Sequence, residues 1–441
     1  MTRRPDLVKA IAVNGVVVLA AFLAFVGFFY VSANISSENP RVAVKEAFDD
    51  GVITYDIYRL LEAVPGFIVT ESDNAGSCYM YGHMLAPSES LFGLGARSAD
   101  TSLMNCEALD AVVQEADSPA IYISYYRYWQ GAAAVSKVAL TVLSVSQFQW
   151  LLTALLAALS VTMSIIAWRR SRILGLGFLV TFAMTTDFLW QGFSPLHGVA
   201  TVVGLVGALV VYAAFSRSWK TRWAWVGVAG MAYAMFAHTL IPMAMLILTY
   251  MAAFLASTTS THKSPARTLL SHLGPPLLWI MGYLFGSVSR WVWTSTLGPG
   301  LPTLQSEFSY SSEKFITTSP VDPFYQLIGL LTKTWLEFGV MQVGLVAMAL
   351  LIGASWGRQL VNSVNLVNVG IWISPIVYPI VWLSVFAFHT NHTYVHAVLS
   401  IVLLLVLYSL EMARLSNQGS PQDQGDESRN PHPTSALAQS S

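Results

Sequence analysis

Long apolar runs recur along the chain, and each is about as long as a helix must be to cross a bilayer. The 441 residues are 54% hydrophobic and only 11% charged, whereas soluble domains carry about 25% charged residues. We therefore predict an all-α, polytopic integral membrane protein. The runs predict about ten membrane-spanning helices: 10–32, 148–168, 173–190, 196–215, 223–238, 240–257, 273–291, 338–355, 366–388 and 395–412.

The distribution of Lys and Arg predicts the orientation of these spans. Basic residues precede the first span and follow the even-numbered ones, at 3–9, 169–172, 217–222, 263–267, 358 and 414. With ten spans all of these positions fall on one side, which the positive-inside rule makes cytoplasmic. We therefore predict a multi-pass plasma-membrane protein with both termini in the cytoplasm.

This topology divides the chain into four parts. Residues 1–33 are the cytoplasmic N-terminus and first transmembrane helix, 34–147 an extracytoplasmic loop, 148–412 transmembrane helices 2–10, and 413–441 a disordered cytoplasmic tail. The tail is polar, rich in Pro and without aromatic residues, a composition that cannot form a packed core.

The large first loop is predicted to fold as amphipathic helices on the membrane surface. Apolar residues follow Thr54 at helical spacing, and 109–116 and 136–150 are further helical candidates. The two cysteines of the chain, Cys78 and Cys106, both lie in this loop. In an oxidising compartment they can pair, and buried free thiols are the alternative.

Acidic residues stand just after the first span. Asp49, Asp50 and Asp56 give a group of carboxylates at the predicted membrane surface. One interpretation is a solvated acidic turn before a helix, because charged pairs on surfaces are common. The other is a general base that removes a proton from an acceptor hydroxyl.

A second candidate is the aromatic segment 122–131, YISYYRYWQG, in which Tyr126 and Trp129 stand close to Arg127. It can be an interfacial aromatic belt with a snorkelling cation. Alternatively, it can form a sugar platform with a phosphate fork, because Arg binds phosphate oxygens in a bidentate manner.

Ionisable residues also open or close several predicted spans. Asp187 lies near the end of the third span, where a carboxylate is a functional candidate; pairing with Arg127 or Arg290 is the structural alternative. His197 opens the fourth span, and His392 and His396 open the tenth. No Glu or Cys accompanies the last two and HEXXH is absent, so we assign no metal site. Hydrogen bonding to a phosphate or sugar hydroxyl, or an ordinary interfacial role, fits these histidines better.

The plan of the chain resembles a known superfamily. The chain begins with one span, continues with a large outer loop that has acidic residues near its start, and then has many spans joined by short loops. This order of segments is similar to that of the GT-C superfamily of polyprenyl-phosphate-sugar-dependent glycosyltransferases. More locally, RYWQG at 127–131, DFLWQGFSPLHG at 187–198 and HTYVH at 392–396 resemble motifs in a family of bacterial polytopic membrane proteins without an assigned function.

The GT-C resemblance implies an inverting sugar transfer in cell-envelope glycan synthesis. The donor would be a polyprenyl-phosphate sugar and the acceptor an extracytoplasmic glycan, lipid or protein. Asp50, Asp49 or Asp56, in that order, would be the base. Arg127 and Arg290 would bind the donor phosphate, and His197, His392 and His396 the phosphate or sugar. The resemblance leaves the need for a divalent metal open.

Other functions remain alternatives. A nucleotide-sugar donor is not expected, because the chain has neither a Gly-rich phosphate loop nor a cytoplasmic domain, and no nucleic-acid partner is expected. A transporter or lipid flippase is the main competitor, although no internal repeat is visible. A non-catalytic membrane subunit and, on the strength of its histidines, a membrane-bound acyltransferase complete the alternatives.

Overall fold

A computed structural model of the protein describes most of the chain up to Arg414. The described residues are 4–55, 58–64, 68–85, 97–99, 106–114, 122–124, 129–184, 191–237, 242–256, 265–297, 339–359, 401, 403–411 and 414.

Helices dominate these residues. They are α1 (Arg4–Ala33), α2 (Glu38–Asp49), α3 (Asn74–Leu85), α4 (Cys106–Val113), α5 (Gly131–Ala139), α6 (Val145–Arg170), α7 (Arg172–Met184), α8 (Pro195–Ser216), α9 (Arg222–Phe236), α10 (Pro242–Ala256), α11 (Pro265–Leu297) and α12 (Gly339–Gln359). Residues 403–411 are also helical, and we refer to them as the C-terminal helix. Four short strands are β1 (Tyr58–Val64), β2 (Ile68–Asp73), β3 (Arg97–Ala99) and β4 (Tyr122–Ser124).

Among the described residues, three helices are long and apolar enough to cross a membrane, namely Val8–Ala33 in α1, Val145–Arg170 and Pro195–Ser216. They coincide with the first, second and fourth predicted spans. Shorter apolar helices occupy Arg172–Ala183, Met245–Ala256 and Val343–Trp356. The described part of the chain therefore confirms a membrane protein with several apolar helices. The number ten stays a prediction, and the ninth predicted span lies outside the described residues.

The long apolar run 223–255 is divided into two helices, as expected from its length. Helix α9 ends at Phe236, and α10 begins with Pro242 at its first position. Proline is favoured there because its missing N–H has no partner within a helix anyway.

Helices α9 and α11 pack unusually closely because glycines line their contact. A Cβ atom on Gly230 would collide with the carbonyl of Trp279, and one on Gly282 would collide with the carbonyl of Gly227. Small residues let helix backbones approach in this way, and the gain in dispersion contacts stabilises membrane helix pairs. This contact fixes the position of α11, which carries Arg290.

The two ends of the bundle differ in charge. Helix α6 ends and α7 begins around Ser171, next to Arg169, Arg170 and Arg172, and Arg217 caps the end of α8. We call this the basic end. The opposite end, where α1 ends and α6 and α8 begin, carries the described residues between 34 and 144, and we call it the loop end.

At the loop end, α2, α3, α4 and α5 pack into a small core of their own with the first turns of α6 and α8. Cys78 of α3 and Cys106 of α4 form a disulfide within it. The two cysteines are 28 residues apart in sequence, and closing a loop of that length stabilises the fold by about 3–4 kcal/mol in the chain-entropy model. The alternative of buried free thiols is therefore wrong.

The expectation of an entirely helical first loop is wrong in part. The residues after Thr54 that were predicted to be helical form β1, which pairs antiparallel with β2; β3 likewise pairs with β4. Tyr58, Leu60 and Val64 fit an alternating apolar pattern that only Glu62 interrupts, so periodicity alone does not decide between a strand and a helix. The Pro65-Gly66 pair that follows is a turn signal and favours the hairpin. The candidate at 109–116 is confirmed as a helix up to Val113, where α4 ends; residues 115 and 116 lie outside the described residues.

Candidate anion site at the loop end

Trp129 is the centre of the best-defined cluster at the loop end. Its ring stacks on Phe29 of α1, with centroids 5.2 Å apart and 15° between the planes. Its indole N–H donates to the Gly286 carbonyl of α11 at 2.8 Å. Only 5% of the residue is exposed. Trp129 therefore ties α11 to the end of α1.

Arg290 extends this cluster with a buried positive charge. It is 2% exposed, and its guanidinium carbon lies 5.1 Å from the centroid of the Trp129 ring. Residues at i and i+4 share a helix face, so Gly282, Gly286 and Arg290 point to the same side of α11. The glycine contact with α9 therefore turns Arg290 inward, away from lipid. A cation over the face of an indole ring is stabilised by about 0.5–2 kcal/mol, which offsets only part of the desolvation cost of burying it.

Helix α5 starts directly after Trp129 and is held against α1 along its length. Ser32 Oγ donates to the Ala134 carbonyl at 3.0 Å, and Lys137 Nζ donates to the Ala33 carbonyl at 3.4 Å. Burial lowers the pKa of Lys137. Its ammonium group sits at the carbonyl end of α1, where the helix dipole favours positive charge.

The start of α5 also packs against the end of α9. A Cβ on Gly131 would collide with Phe236 Cα and the Met235 carbonyl, so only glycine fits there. The ends of α1 and α9, the beginning of α5 and the Arg290 turn of α11 therefore meet around Trp129 and Gln130.

Asp49 and Asp50 lie at the end of α2. Asp49 is its last residue and Asp50 its C-cap, and Gly51 follows with φ +66°. The N–H of Val52 donates to Ala47 at 2.8 Å and that of Gly51 to Phe48 at 3.0 Å, which is a Schellman motif. The acidic pair therefore forms the end of a helix, whereas one interpretation of the sequence placed it in a turn before a helix. Both side chains are exposed.

A hydrogen-bonded carboxylate that the sequence did not single out lies near this acidic pair. Tyr55 Oη donates to Asp110 Oδ2 at 2.7 Å, and Gln114 Nε2 donates to Asp110 Oδ1 at 3.2 Å. The bond to the Asp110 carboxylate holds the pKa of the exposed Tyr55 above its usual 10.0. Only the fold reveals this pair, because Tyr55 and Asp110 are far apart in sequence.

His197 occupies the third position of α8 and is 3% exposed. It is therefore buried at the loop end, in the first turn of the span it was predicted to open. Ser194, just before α8, interacts with Ser77 of α3 through hydroxyl oxygens 3.3 Å apart.

The remaining predicted site residues lie outside the described residues. They are Asp56, Tyr126, Arg127, Asp187, His392 and His396. Within the described part of the chain, no group of three or more His, Cys, Asp or Glu side chains is arranged to hold a metal ion. Of the predicted residues, the structure brings together Trp129 and Arg290.

A second polar cluster, which sequence reasoning missed, lies at the basic end. Glu411 of the C-terminal helix is fully buried and accepts hydrogen bonds from Ser171 Oγ at 2.7 Å and Ser355 Oγ at 2.6 Å. Arg414 forms an ion pair with it at 3.0 Å. One acidic residue inside the last apolar run was the available signal.

By its apolar helices and this inward-facing polar chemistry, the chain is a helical membrane protein. No family model matches it, and neither a curated protein nor a solved structure gives a significant match.

Proposed function

We propose that the chain is a membrane glycosyltransferase that moves a sugar from a polyprenyl-phosphate donor to an extracytoplasmic acceptor. The observation that carries this proposal is the buried Arg290 against Trp129 at the loop end. A cation held beside an aromatic ring near a membrane surface suits a ligand with a phosphate, because Arg binds phosphate oxygens in a bidentate manner. The Trp129 ring holds Arg290 in place and does not itself stack on a sugar, since Phe29 and Arg290 already cover it.

The proposed orientation places the loop end outside the plasma membrane and both termini in the cytoplasm. Two independent features support it. The basic residues at the ends of α6 and α8 lie at the opposite end, where the positive-inside rule expects the cytoplasm. The disulfide between Cys78 and Cys106 lies at the loop end, and structural disulfides are typical of extracytoplasmic compartments.

In this mechanism the donor phosphate is the leaving group. A carboxylate of the first loop takes the proton of the acceptor hydroxyl, the hydroxyl oxygen bonds to the anomeric carbon, and the bond from that carbon to the phosphate oxygen breaks with inversion. Asp50 is the first candidate base, because its carboxylate is exposed to an acceptor that arrives from water; Asp49 and Asp56 follow. Arg290 stabilises the negative charge on the departing phosphate.

The remaining candidates take supporting roles in this proposal. Arg127 joins Arg290 on the donor phosphate, Trp129 positions Arg290, Tyr126 stacks on the sugar, and Asp187, His197, His392 and His396 contact the donor or acceptor. A requirement for a divalent cation is tested by adding Mg²⁺, Mn²⁺ or EDTA to the assay.

The test is transfer of labelled sugar from synthetic polyprenyl-phosphate sugars to a cell-envelope acceptor by purified protein in nanodiscs. Asp50→Asn is expected to lower the rate about 10²–10⁴-fold, the usual contribution of a general base. Glu38→Gln is the matched control, since Glu38 is another exposed carboxylate of α2 and lies about 18 Å away along the helix.

The controls separate this function from its competitors. Unchanged transfer in Asp50→Asn, Asp49→Asn and Asp56→Asn contradicts the assignment of the base. Absence of transfer from every donor, combined with movement of a fluorescent polyprenyl-phosphate lipid across the bilayer, identifies a transporter or flippase instead. Absence of both activities leaves a non-catalytic subunit.

A further inference from the structure

Gln130 is a buried amide that lacks a hydrogen bond where one is expected. The residue is 5% exposed, and its Nε2 group is buried without a hydrogen-bond partner. Gln130 is the N-cap of α5, yet its side chain does not cap the helix. A buried donor without a hydrogen bond destabilises a fold, and no hydrogen bond of the Gln130 amide nitrogen offsets this.

The first turn of α5 adds further donors at the same place. Gly131, Ala132 and Ala133 are all buried, and the hydrogen bonds of the described residues include none from their N–H groups; the first such bond in α5 runs from the Ala134 N–H to the Gln130 carbonyl. The first N–H groups of any helix have no intrahelical partner, and the helix dipole makes this end positive. Gln130 immediately precedes these three groups.

One side-chain amide and three backbone N–H groups at this place are donors without a partner among the described residues. The guanidinium of Arg290, which carries further N–H groups and a positive charge, lies next to Trp129. A sugar hydroxyl or a water molecule would bring hydrogens as well as lone pairs, whereas a phosphate offers acceptor oxygens and negative charge. Helix N-termini bind phosphate for this reason, and charge-assisted bonds to it are about twice as strong as neutral ones.

We propose that the start of α5, Gln130 and Arg290 form a phosphate-binding subsite at the loop end. The subsite accepts the phosphate group of a lipid or a free phosphate ion. Its assignment to the donor of a sugar transfer rests on the proposed function, but the binding of phosphate does not. Gln130 is the residue whose contribution distinguishes this subsite from a purely structural cluster around Trp129.

The experiment measures equilibrium binding of farnesyl phosphate to the full chain in neutral-lipid nanodiscs, with farnesol and inorganic phosphate as comparison probes. Gln130→Leu removes the amide while keeping a similar volume. We expect Gln130→Leu to lower the affinity for farnesyl phosphate about tenfold, the usual effect of losing a hydrogen bond to a charged group. Gln130→Glu places a carboxylate against the phosphate and is expected to lower this affinity further.

Gln149 provides a matched control. It is also buried, at 7% exposure, and lies at the loop end in the first turns of α6, but its Nε2 donates to the Phe193 carbonyl at 2.9 Å. We expect Gln149→Leu to lower the melting temperature and leave the affinity for farnesyl phosphate unchanged. Gln130→Leu should leave the melting temperature unchanged and weaken the binding of farnesyl phosphate, because the amide nitrogen that it removes has no hydrogen-bond partner in the fold.

The outcomes are decisive. Equal affinity for farnesyl phosphate and farnesol, or an unchanged affinity in both Gln130 variants, overturns the subsite. If inorganic phosphate competes with farnesyl phosphate, the subsite is supported and free phosphate is one of its ligands. If farnesyl phosphate binds and inorganic phosphate does not compete, the subsite is supported and its ligand is a lipid phosphate. Gln130-dependent binding of farnesyl phosphate without any sugar transfer supports the subsite and contradicts the glycosyltransferase proposal. Sugar transfer that does not change in the Gln130 variants supports the glycosyltransferase proposal and contradicts the subsite.

Discussion

The buried polar groups at the two ends of the bundle differ in whether they have hydrogen-bond partners within the chain. At the basic end, Glu411 is surrounded by donors from Ser171, Ser355 and Arg414, so its charge is matched within the chain. At the loop end, the amide of Gln130 stays unsatisfied. A buried polar group with a complete set of partners stabilises one arrangement of helices. A buried donor without a partner at the start of a helix does not stabilise the fold in this way, and it fits the ligand-binding role that we propose for it.

The largest expected effect comes from breaking the cluster at the basic end. Glu411→Ala leaves Arg414 without its carboxylate and two serine hydroxyls without their acceptor, and should destabilise the protein by about 3–5 kcal/mol. Glu411→Gln keeps an acceptor for the serines and should cost less. Thermal unfolding of the purified protein measures both, and equal stability of Glu411→Ala and wild type would show that the cluster does not hold the helices together.

A smaller effect is expected from moving Arg290 without changing it. Gly230→Ala forces α9 away from the Trp279 carbonyl and should cost about 1–3 kcal/mol as overpacking, with weaker farnesyl phosphate binding because α11 carries Arg290. Gly227→Ala is the control, since its Cβ would lie 3.7 Å from the nearest atom, the Leu278 carbonyl oxygen. If both variants behave alike in unfolding and binding assays, close packing of α9 and α11 does not position the site.

The smallest effect concerns a pair that lies on the surface and belongs to neither cluster. Because Asp110 raises the pKa of Tyr55 above 10.0, the folded protein retains this proton at a pH where the unfolded chain has lost it. The contribution to stability is therefore complete below pH 10 and is lost as the pH rises through the folded pKa.

Ultraviolet difference titration of wild type against Tyr55→Phe reports this pKa. Asp110→Asn should bring it back towards the ordinary tyrosine value, and an unchanged titration in that variant would remove the hydrogen bond as its cause. Gln114→Leu removes the other donor to Asp110 and serves as the control for a general disturbance of α4.

Sequence reasoning succeeded where a local pattern determines the structure. The apolar runs identify α1, α6 and α8, and the predicted spans 223–238 and 240–257 correspond to α9 and α10, with Pro242 at the start of α10. These features depend on residues within one or two helical turns of each other, so hydropathy and proline chemistry are sufficient.

The sites were harder to predict because their parts are distant in the chain. Trp129 and Arg290 were each proposed as ligand residues, but their contact depends on glycines of α9 and α11 that bring the backbones together. The free amide of Gln130 has no sequence signature, since the neighbouring Gln149 is equally polar and is satisfied. Whether a buried donor finds a partner depends on the whole fold.

The cluster around Glu411 also has a consequence for biosynthesis. Its acceptor lies 240 residues after Ser171 and 56 after Ser355, so translation delivers the serine hydroxyls long before the carboxylate. During insertion the earlier helices therefore stand in the bilayer without this joining group until residue 411 has left the ribosome. A product truncated before residue 411 lacks the carboxylate that links the three helices through Ser171 and Ser355.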